Sequence, residues 1–179
     1  VRLRAEGGLT VIDPVMGDNG EVYETYTPEM CTRMRELCAI ADIITPNTTE
    51  AAILLGRDPA GKPQSDDEAW EWMRALQQTY GAEIVLTGLD FETGKVGTGC
   101  LGHAGGGLTL HRRIDRYYPG TGDLFAATML GALLNGVSLP DACTRAGEFV
   151  KDCIAYTAEQ GTDPMHGVQF EKLLGQIVK

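Results

Sequence analysis

Short apolar runs alternate with amphipathic stretches through the first half of the chain, and the two periodicities predict strand and helix in turn. Leu9 to Asp13 (LTVID) reads as a short buried strand that ends on a carboxylate, where Pro14 stops the ladder. From Thr27 to Ala41, TPEMCTRMRELCAIA supplies an N-cap threonine, a proline at the first helical position, an acid next, and apolar residues at helical spacing. DIIT follows as a second strand, and Asn47 opens a helix, NTTEAAILLG, that Gly56 ends. A Pro/Gly-rich loop over 58–64 leads to an acid-capped amphipathic helix from Ser65 to Tyr80, and then to the strand EIVLTG. Such alternation predicts a parallel sheet with helices packed on its faces.

Between Asp90 and Arg113 the pattern changes to glycine-rich segments with short alternating runs, as antiparallel strands and loops at a sheet edge require. Two long helices are predicted next, Gly122 to Asn135 and about Leu139 to Gln160, the second with Pro140 in its first turn. A short helix around Val168 to Ile177 completes the reading. With no repeat or linker, and with 43% hydrophobic content over 179 residues, the expectation is one α/β domain spanning 1–179.

Charge narrows the choice of partner. A formal net charge of −10 argues against wrapping nucleic acid or lying on an anionic membrane, so a nucleotide would have to be held locally. Cys31, Cys38, Cys100, Cys143 and Cys153 show no CxxC spacing and no Cys/His cluster, and read as reduced, mostly buried thiols. No charged-then-apolar leader opens the chain, and the longest apolar run, at 124–134, is too short to span a bilayer; a cytoplasmic protein is expected. The chain begins at Val1 rather than Met and enters a strand almost at once, so its start is expected to be a fragment boundary.

The densest chemistry lies in Pro119-Gly120-Thr121-Gly122-Asp123, because the apolar run LFAATMLGALL follows immediately and makes the glycine turn the start of a helix. Free N–H groups at a helix N-terminus, approached closely through glycines, form an anion site. A carboxylate there repels a ground-state anion, which fits a base that takes a proton from an attacking hydroxyl. The same Asp123 is equally explained as a first-turn acid complementing the helix dipole.

Three other segments end strands on the side where open parallel sheets bind ligands. Asp13-Pro14-Val15-Met16-Gly17-Asp18 sets two carboxylates around a tight turn, suited to Mg2+ with a nucleotide or simply to a polar turn. Thr45-Pro46-Asn47-Thr48-Thr49-Glu50 has Asn and Glu three residues apart, which capping alone explains. Thr87-Gly88 can offer a hydroxyl and an open backbone to a phosphate or ribose, or only end a strand. Gly97-Thr98-Gly99-Cys100 resembles an anion loop, but the glycine-rich LGHAGGGLTL after it cannot supply a helix N-terminus. His103 and His111 have no metal-ligand partners at a useful spacing and read as surface or strand residues, and His166 as a loop residue.

Taken together, DPVMGDNG at 13–20, Tyr26-Thr27-Pro28-Glu29, ADIITPNTTEAAILLG at 41–56, VLTG at 85–88 and YYPGTGDLFAATMLGALLNG at 117–136 resemble the ribokinase-like superfamily, and within it the pyridoxal (pyridoxine, pyridoxamine) kinases. The resemblance covers nearly the whole chain. It implies a three-layer α/β/α fold with a mainly parallel central sheet, and ATP-dependent phosphorylation of the 5'-hydroxymethyl group of a B6 vitamer. It implies Asp123 as the base, with the backbone of Gly120, Thr121 and Gly122 as the anion hole. By the same resemblance Asp13, Asp18 and Glu50 organise Mg2+ and its waters, while Tyr26, Thr45, Asn47, Thr87 and Gly88 lie along the nucleotide. Hydroxymethylpyrimidine kinases share the DPVM turn but typically carry Cys where this chain has Asp123.

The resemblance also implies a homodimer in the intact enzyme, and a further N-terminal portion with the first sheet strands, much of the pyridine pocket and the lid. By the resemblance, these 179 residues are expected to lack those strands. The expectation is therefore an exposed sheet edge and an uncovered apolar face, with weak or no turnover by the chain alone. Two alternatives stand beside the vitamer kinase: a hydroxymethylpyrimidine kinase-like enzyme, and a non-catalytic remnant that binds nucleotide.

Overall fold

The computed structural model describes residues 7–91 and 94–177. After β1 (Val11–Ile12), a tight hairpin joins β2 (Gly17–Asp18) to β3 (Glu21–Val22). Asn19 and Gly20 at its tip have φ of 52° and 85°, the pair of positive values that a two-residue hairpin turn demands and that Asn-Gly adopts most readily. Then follow α1 (Pro28–Cys38), β4 (Ile43–Ile44), α2 (Thr48–Leu54), α3 (Asp66–Tyr80), β5 (Glu83–Leu89), β6 (Lys95–Gly102), β7 (Gly105–Arg112), α4 (Thr121–Leu134) and α5 (Leu139–Gln160).

The main sheet has the order β1-β4-β5-β6-β7. Pairing is parallel from β1 to β4 and from β4 to β5, then antiparallel from β5 to β6 and from β6 to β7. All strands except β6 thus run in one direction, and the mainly parallel sheet expected from the sequence is present. The glycine-rich stretch forms the antiparallel pair β6–β7 at one edge, again as expected. Gly97 and Gly106 are needed there: a Cβ on either would overlap a carbonyl oxygen of the facing strand, Thr109 for the first and Cys100 for the second.

Alternating side chains divide the core between the two faces of the sheet. Ile44, Ile84 and Leu86 pack with residues of α1, α2 and α3, including Cys38, Ala51, Trp72, Met73 and Leu76. Ile43, Val85 and Cys100 point the other way, onto Phe125 and Met129 of α4 and Ala142, Cys143 and Ala146 of α5. This is the three-layer α/β/α arrangement. All five cysteines are free and buried, and no helix among the described residues is long and apolar enough to cross a membrane. On its outer side β1 has no strand partner among the described residues, and Leu9 and Leu134 are exposed.

Three boundaries differ from the sequence reading. The strand expected over Leu9 to Asp13 keeps ladder pairing only at Val11–Ile12, because the Asp42 carboxylate accepts from Thr10 N–H (2.7 Å) and replaces the ladder at that end. The helix expected to run to Ala41 stops at Cys38, where Ile40 and Ala41 N–H bond to the carbonyls of Leu37 and Cys38 and tighten the chain into β4. The final helix is a 3-10 segment, Glu171–Gln176, whose short length and Gly175 do not sustain an α-helix.

Candidate active site

Four strand-ending segments converge on a cavity of about 800 Å3 at the C-terminal side of the parallel strands, the side on which open α/β sheets place ligands. Asp13, Asp18, Thr45, Asn47, Glu50, Thr87 and Gly88 all line it, together with Gly120, Thr121, Gly122 and Asp123. Tyr26 does not. It packs against the core beneath α1, and Tyr23 stands at the cavity instead. The displacement follows from the hairpin: once β2 and β3 pair, Tyr23 N–H bonds back to the Met16 carbonyl and holds Tyr23 over the site.

Capping chemistry locks the acidic wall in place. Asn47 and Glu50 form a reciprocal capping box at the start of α2, with Glu50 N–H donating to Asn47 Oδ1 (2.9 Å) and Asn47 N–H to Glu50 Oε2 (2.8 Å). The other carboxylate oxygen, Oε1, accepts from Met16 N–H at 3.1 Å, and Asn47 Nδ2 donates to the Gly17 carbonyl at 2.8 Å. Thr49 Oγ1 accepts from Gly20 N–H at 2.8 Å. The DPVMGDNG turn is therefore strapped to the TPNTTE segment by three bonds that local sequence alone could not show. Burial pushes the Glu50 carboxyl up to about 7, against the pull of its backbone donors.

Asp13 is fixed by the Thr45 hydroxyl, which donates to its Oδ1 at 2.8 Å. Burial raises its pKa, the Thr45 bond opposes that, and the Asp123 carboxylate nearby raises it further. The two carboxylates thus feel each other across the cavity. Asp18 is more open, and its two oxygens accept from Asn19 N–H (2.9 Å) and Asn19 Nδ2 (3.0 Å).

Opposite this wall, α4 begins without a cap. Gly120 is its N-cap at φ 83°, a left-handed conformation that glycine adopts without strain, and no side chain caps the turn. Nothing lies within 4 Å of where a Cβ on Gly120 or Gly122 would sit, so an anion can reach the first-turn N–H groups. Asp123 is exposed in that turn.

The cavity also has a basic flank, which the motifs alone do not point to. Arg112, Arg113, Arg116 and Lys151 line the cavity beside the uncapped turn, and Arg113 is ion-paired with Asp90. The available signal was three arginines within five residues of an acidic chain, directly before the glycine motif. Gly97 and Thr98, set aside as an anion loop, do lie in a strand, yet they also line the cavity, and so does His111.

The hard oxygens of Asp13 and Asp18 suit a divalent cation that keeps several waters and binds phosphate oxygens, as Mg2+ does. They do not make a closed cage: among the described residues no three His, Cys, Asp or Glu side chains cluster tightly enough to hold a metal. Both Glu50 oxygens are already engaged by backbone donors, so a place in the outer sphere is what its geometry fits.

The phosphomethylpyrimidine kinase family matches the chain over residues 2–168. The chain belongs to this family. Among solved structures of the family's ribokinase-like fold, Lactobacillus plantarum pyridoxal kinase is 36% identical with a TM-score of 0.83, covering 95% of this chain and 61% of that one. A Bacteroides thetaiotaomicron protein, provisionally named a phosphomethylpyrimidine kinase and solved with pyridoxal, is 32% identical with a TM-score of 0.91, covering 99% and 63%. The ADP complex of Bacillus subtilis pyridoxal kinase is 29% identical with a TM-score of 0.65, covering 80% and 54%. The chain spans about half the length of the curated relatives it matches, 53% of one from Schizosaccharomyces pombe and 42% of human pyridoxal kinase. Membership of a kinase family and the α/β/α fold are therefore established for this chain.

Proposed function

We propose that these residues form the phosphoryl-transfer centre of an ATP-dependent kinase for the 5'-hydroxymethyl group of pyridoxal, pyridoxine or pyridoxamine. The observation that carries the reading is the uncapped first turn of α4, with Asp123 in the same turn and Asp13 facing it across the cavity. Phosphoryl transfer asks a protein mainly to position groups and to offset charge, and those are the parts assembled here. The pyridoxal and ADP bound by the Bacteroides and Bacillus proteins support both substrates.

In this mechanism Asp123 accepts the proton of the vitamer's hydroxyl as its oxygen attacks the γ-phosphorus. The bond from phosphorus to the β,γ-bridging oxygen breaks, and ADP leaves with that oxygen. Backbone N–H groups of Gly120, Thr121 and Gly122 donate to the oxygens of the transferred group as their charge redistributes. Arg112, Arg113, Arg116 and Lys151 hold the polyphosphate on the basic flank. Mg2+, when bound, offsets phosphate charge next to the acidic wall, with Asp13 and Asp18 as its protein-side anchors and Glu50 behind them. Thr45 keeps Asp13 oriented, and Asn47 keeps the turn that carries Asp18 in register.

A second reading, a hydroxymethylpyrimidine kinase, is favoured by the family's own description. Competition between pyridoxal and hydroxymethylpyrimidine for turnover separates the two. The central test follows pyridoxal 5'-phosphate formation with Mg-ATP by the chain and by its Asp123→Asn variant, with calorimetric ATP binding measured alongside. Turnover lost in the variant while ATP still binds supports the base; turnover retained by the variant refutes it. ATP binding without turnover by either protein would mean that the nucleotide side works and that the vitamer needs residues outside this chain. Homodimerisation of the intact protein is part of the same proposal and is read by its mass in solution.

A further inference from the structure

Two Asn-Gly pairs occur in the chain, Asn19-Gly20 and Asn135-Gly136. Such a pair is prone to close on itself, because glycine leaves the backbone nitrogen after the asparagine open to the side-chain amide. Asn19 is exposed at the tip of the β2–β3 hairpin and lines the cavity next to Asp18. In the closed hairpin both reacting groups are engaged elsewhere. Gly20 N–H donates to Thr49 Oγ1 at 2.8 Å, and Asn19 Nδ2 donates to Asp18 Oδ2 at 3.0 Å. The ladder behind the tip is slight, since β2 and β3 have 2 residues each and a pair that short is marginal by itself. The buried Thr49 hydroxyl in the first turn of α2 is the strap nearest the tip. At the other pair, Gly136 N–H is held by the Leu133 carbonyl (2.9 Å) and Asn135 Nδ2 by the Gly131 carbonyl (2.8 Å).

We propose that Asn19 is a site of spontaneous modification, gated by the Gly20–Thr49 bond, at which the amide beside the cavity becomes a carboxylate. When the tip opens, the Gly20 nitrogen loses its proton to water or hydroxide and attacks Asn19 Cγ. The N–Cγ bond forms, the Cγ–Nδ2 bond breaks, and Nδ2 leaves as ammonia with a proton returned from solvent. Water then opens the imide ring. Breaking the new N–Cγ bond gives aspartate, and breaking the original Asn19–Gly20 peptide bond gives isoaspartate. Water and hydroxide are the only co-reactants, and nothing is oxidised or reduced. Aspartate sets another carboxylate beside Asp18 and removes the Nδ2 donor that Asp18 uses. Isoaspartate adds a methylene to the main chain in a turn that holds only two residues, so the pairing that positions Asp18 and Tyr23 is lost. The inference stands apart from the choice of phosphoryl acceptor.

The test incubates the native chain, Thr49→Val, Thr49→Ser and the guanidinium-unfolded chain in mildly alkaline buffer. Each Asn-Gly site is followed separately, by the mass change of its own peptide and by isoaspartate content. Native conversion at Asn19 should run at the unfolded rate scaled by the fraction of time the tip is open. Thr49→Val keeps the side-chain shape and removes the acceptor, so Asn19 is expected to convert about fivefold faster than in the parent, the worth of one net hydrogen bond. Thr49→Ser keeps the acceptor and is expected to convert at the parental rate. Asn135, whose bonds do not involve Thr49, is the internal reference and is expected to hold its rate in all three folded proteins. An Asn19 rate unchanged in the Val variant, or equal acceleration at both sites, would overturn the inference. So would an Asn19 left intact in the native chain after about ten half-lives of the unfolded one.

Discussion

Glu50 offers the sharpest check, because a single substitution should remove a pH dependence whose sign follows from the burial of its carboxyl. Burial pushes its carboxyl from the ordinary 4.5 up to about 7, with the bonds from Asn47 and Met16 opposing the rise. Below pH 4.5 the group is protonated in both states and exerts no differential effect. Between 4.5 and 7 the folded state binds more protons than the unfolded one, so stability falls as pH rises. Above 7 the full penalty applies, about 3 kcal/mol at 1.36 kcal/mol per pH unit. Asp13, also raised by burial, adds to the fall in the same direction.

Glu50→Gln carries no charge at any pH. The amide keeps one acceptor, so one of the two backbone donors, Met16 N–H or Asn47 N–H, loses its partner at a cost of about 1–3 kcal/mol. The variant should therefore be the less stable protein at pH 4.5, and its deficit should shrink or reverse by pH 7.5. Urea denaturation of both proteins in metal-free buffer at half-unit steps across that range measures the gap directly, provided the m-values agree. Because Asp13 is present in both, its slope largely cancels. A gap that stays constant from pH 4.5 to 7.5 would refute the assignment of a buried carboxyl titrating near neutrality.

Other substitutions probe the scaffold of the site. Gly97→Ala should cost about 2–3 kcal/mol or prevent folding, since the new methyl overlaps the Thr109 carbonyl and the Leu110 side chain; urea midpoints read the loss. Thr45→Val removes the hydroxyl bonded to Asp13 and should lower stability by about 1 kcal/mol at neutral pH, with the loss shrinking in acid as Asp13 protonates. Thiol titration with Ellman's reagent should find the five cysteines slow in the native chain and all reactive in denaturant. Burial holds the Cys38 thiol up to about 12 and the Cys153 thiol up to about 11, so both should stay slow in the native chain even in mildly alkaline buffer.

Much of this was legible in the residues because the governing interactions are local. Caps, glycines and periodicity foretold α1, α2, α3, α4 and α5, and the Gly-x-Gly-Asp turn predicted an open helix N-terminus that the structure bears out geometrically. Asn47 and Glu50 were read as either capping or site residues, and they are in fact a capping box that lines the cavity. What stayed hidden depends on contacts distant in sequence. Only pairing of β2 with β3 decides that Tyr23, not Tyr26, faces the cavity. Only the β6–β7 pair and α5 together reveal that Gly147 leaves space for His111. The Asn-Gly turn signal at 19–20 was available and would have given the hairpin.

The division of charge within the cavity would let a chain of net charge −10 hold the polyanion proposed for it. Arg112, Arg113, Arg116 and Lys151 line the cavity beside the uncapped turn of α4, which itself carries Asp123, while Asp13, Asp18 and Glu50 form the acidic wall that faces the turn. A polyphosphate meets attraction along the basic flank and repulsion at the acidic wall, so the boundary is where its terminal group comes to rest. On the proposed reading, a divalent cation would offset that repulsion, so seating for transfer should need the metal while simple anion capture should not. Arg113 brings a further constraint, since its ion pair with Asp90 must loosen or be shared before the guanidinium can turn fully to phosphate. Anion binding should therefore weaken with salt, as an exposed arginine flank requires. The metal's contribution should appear chiefly in turnover, because the acidic wall acts on the group being transferred.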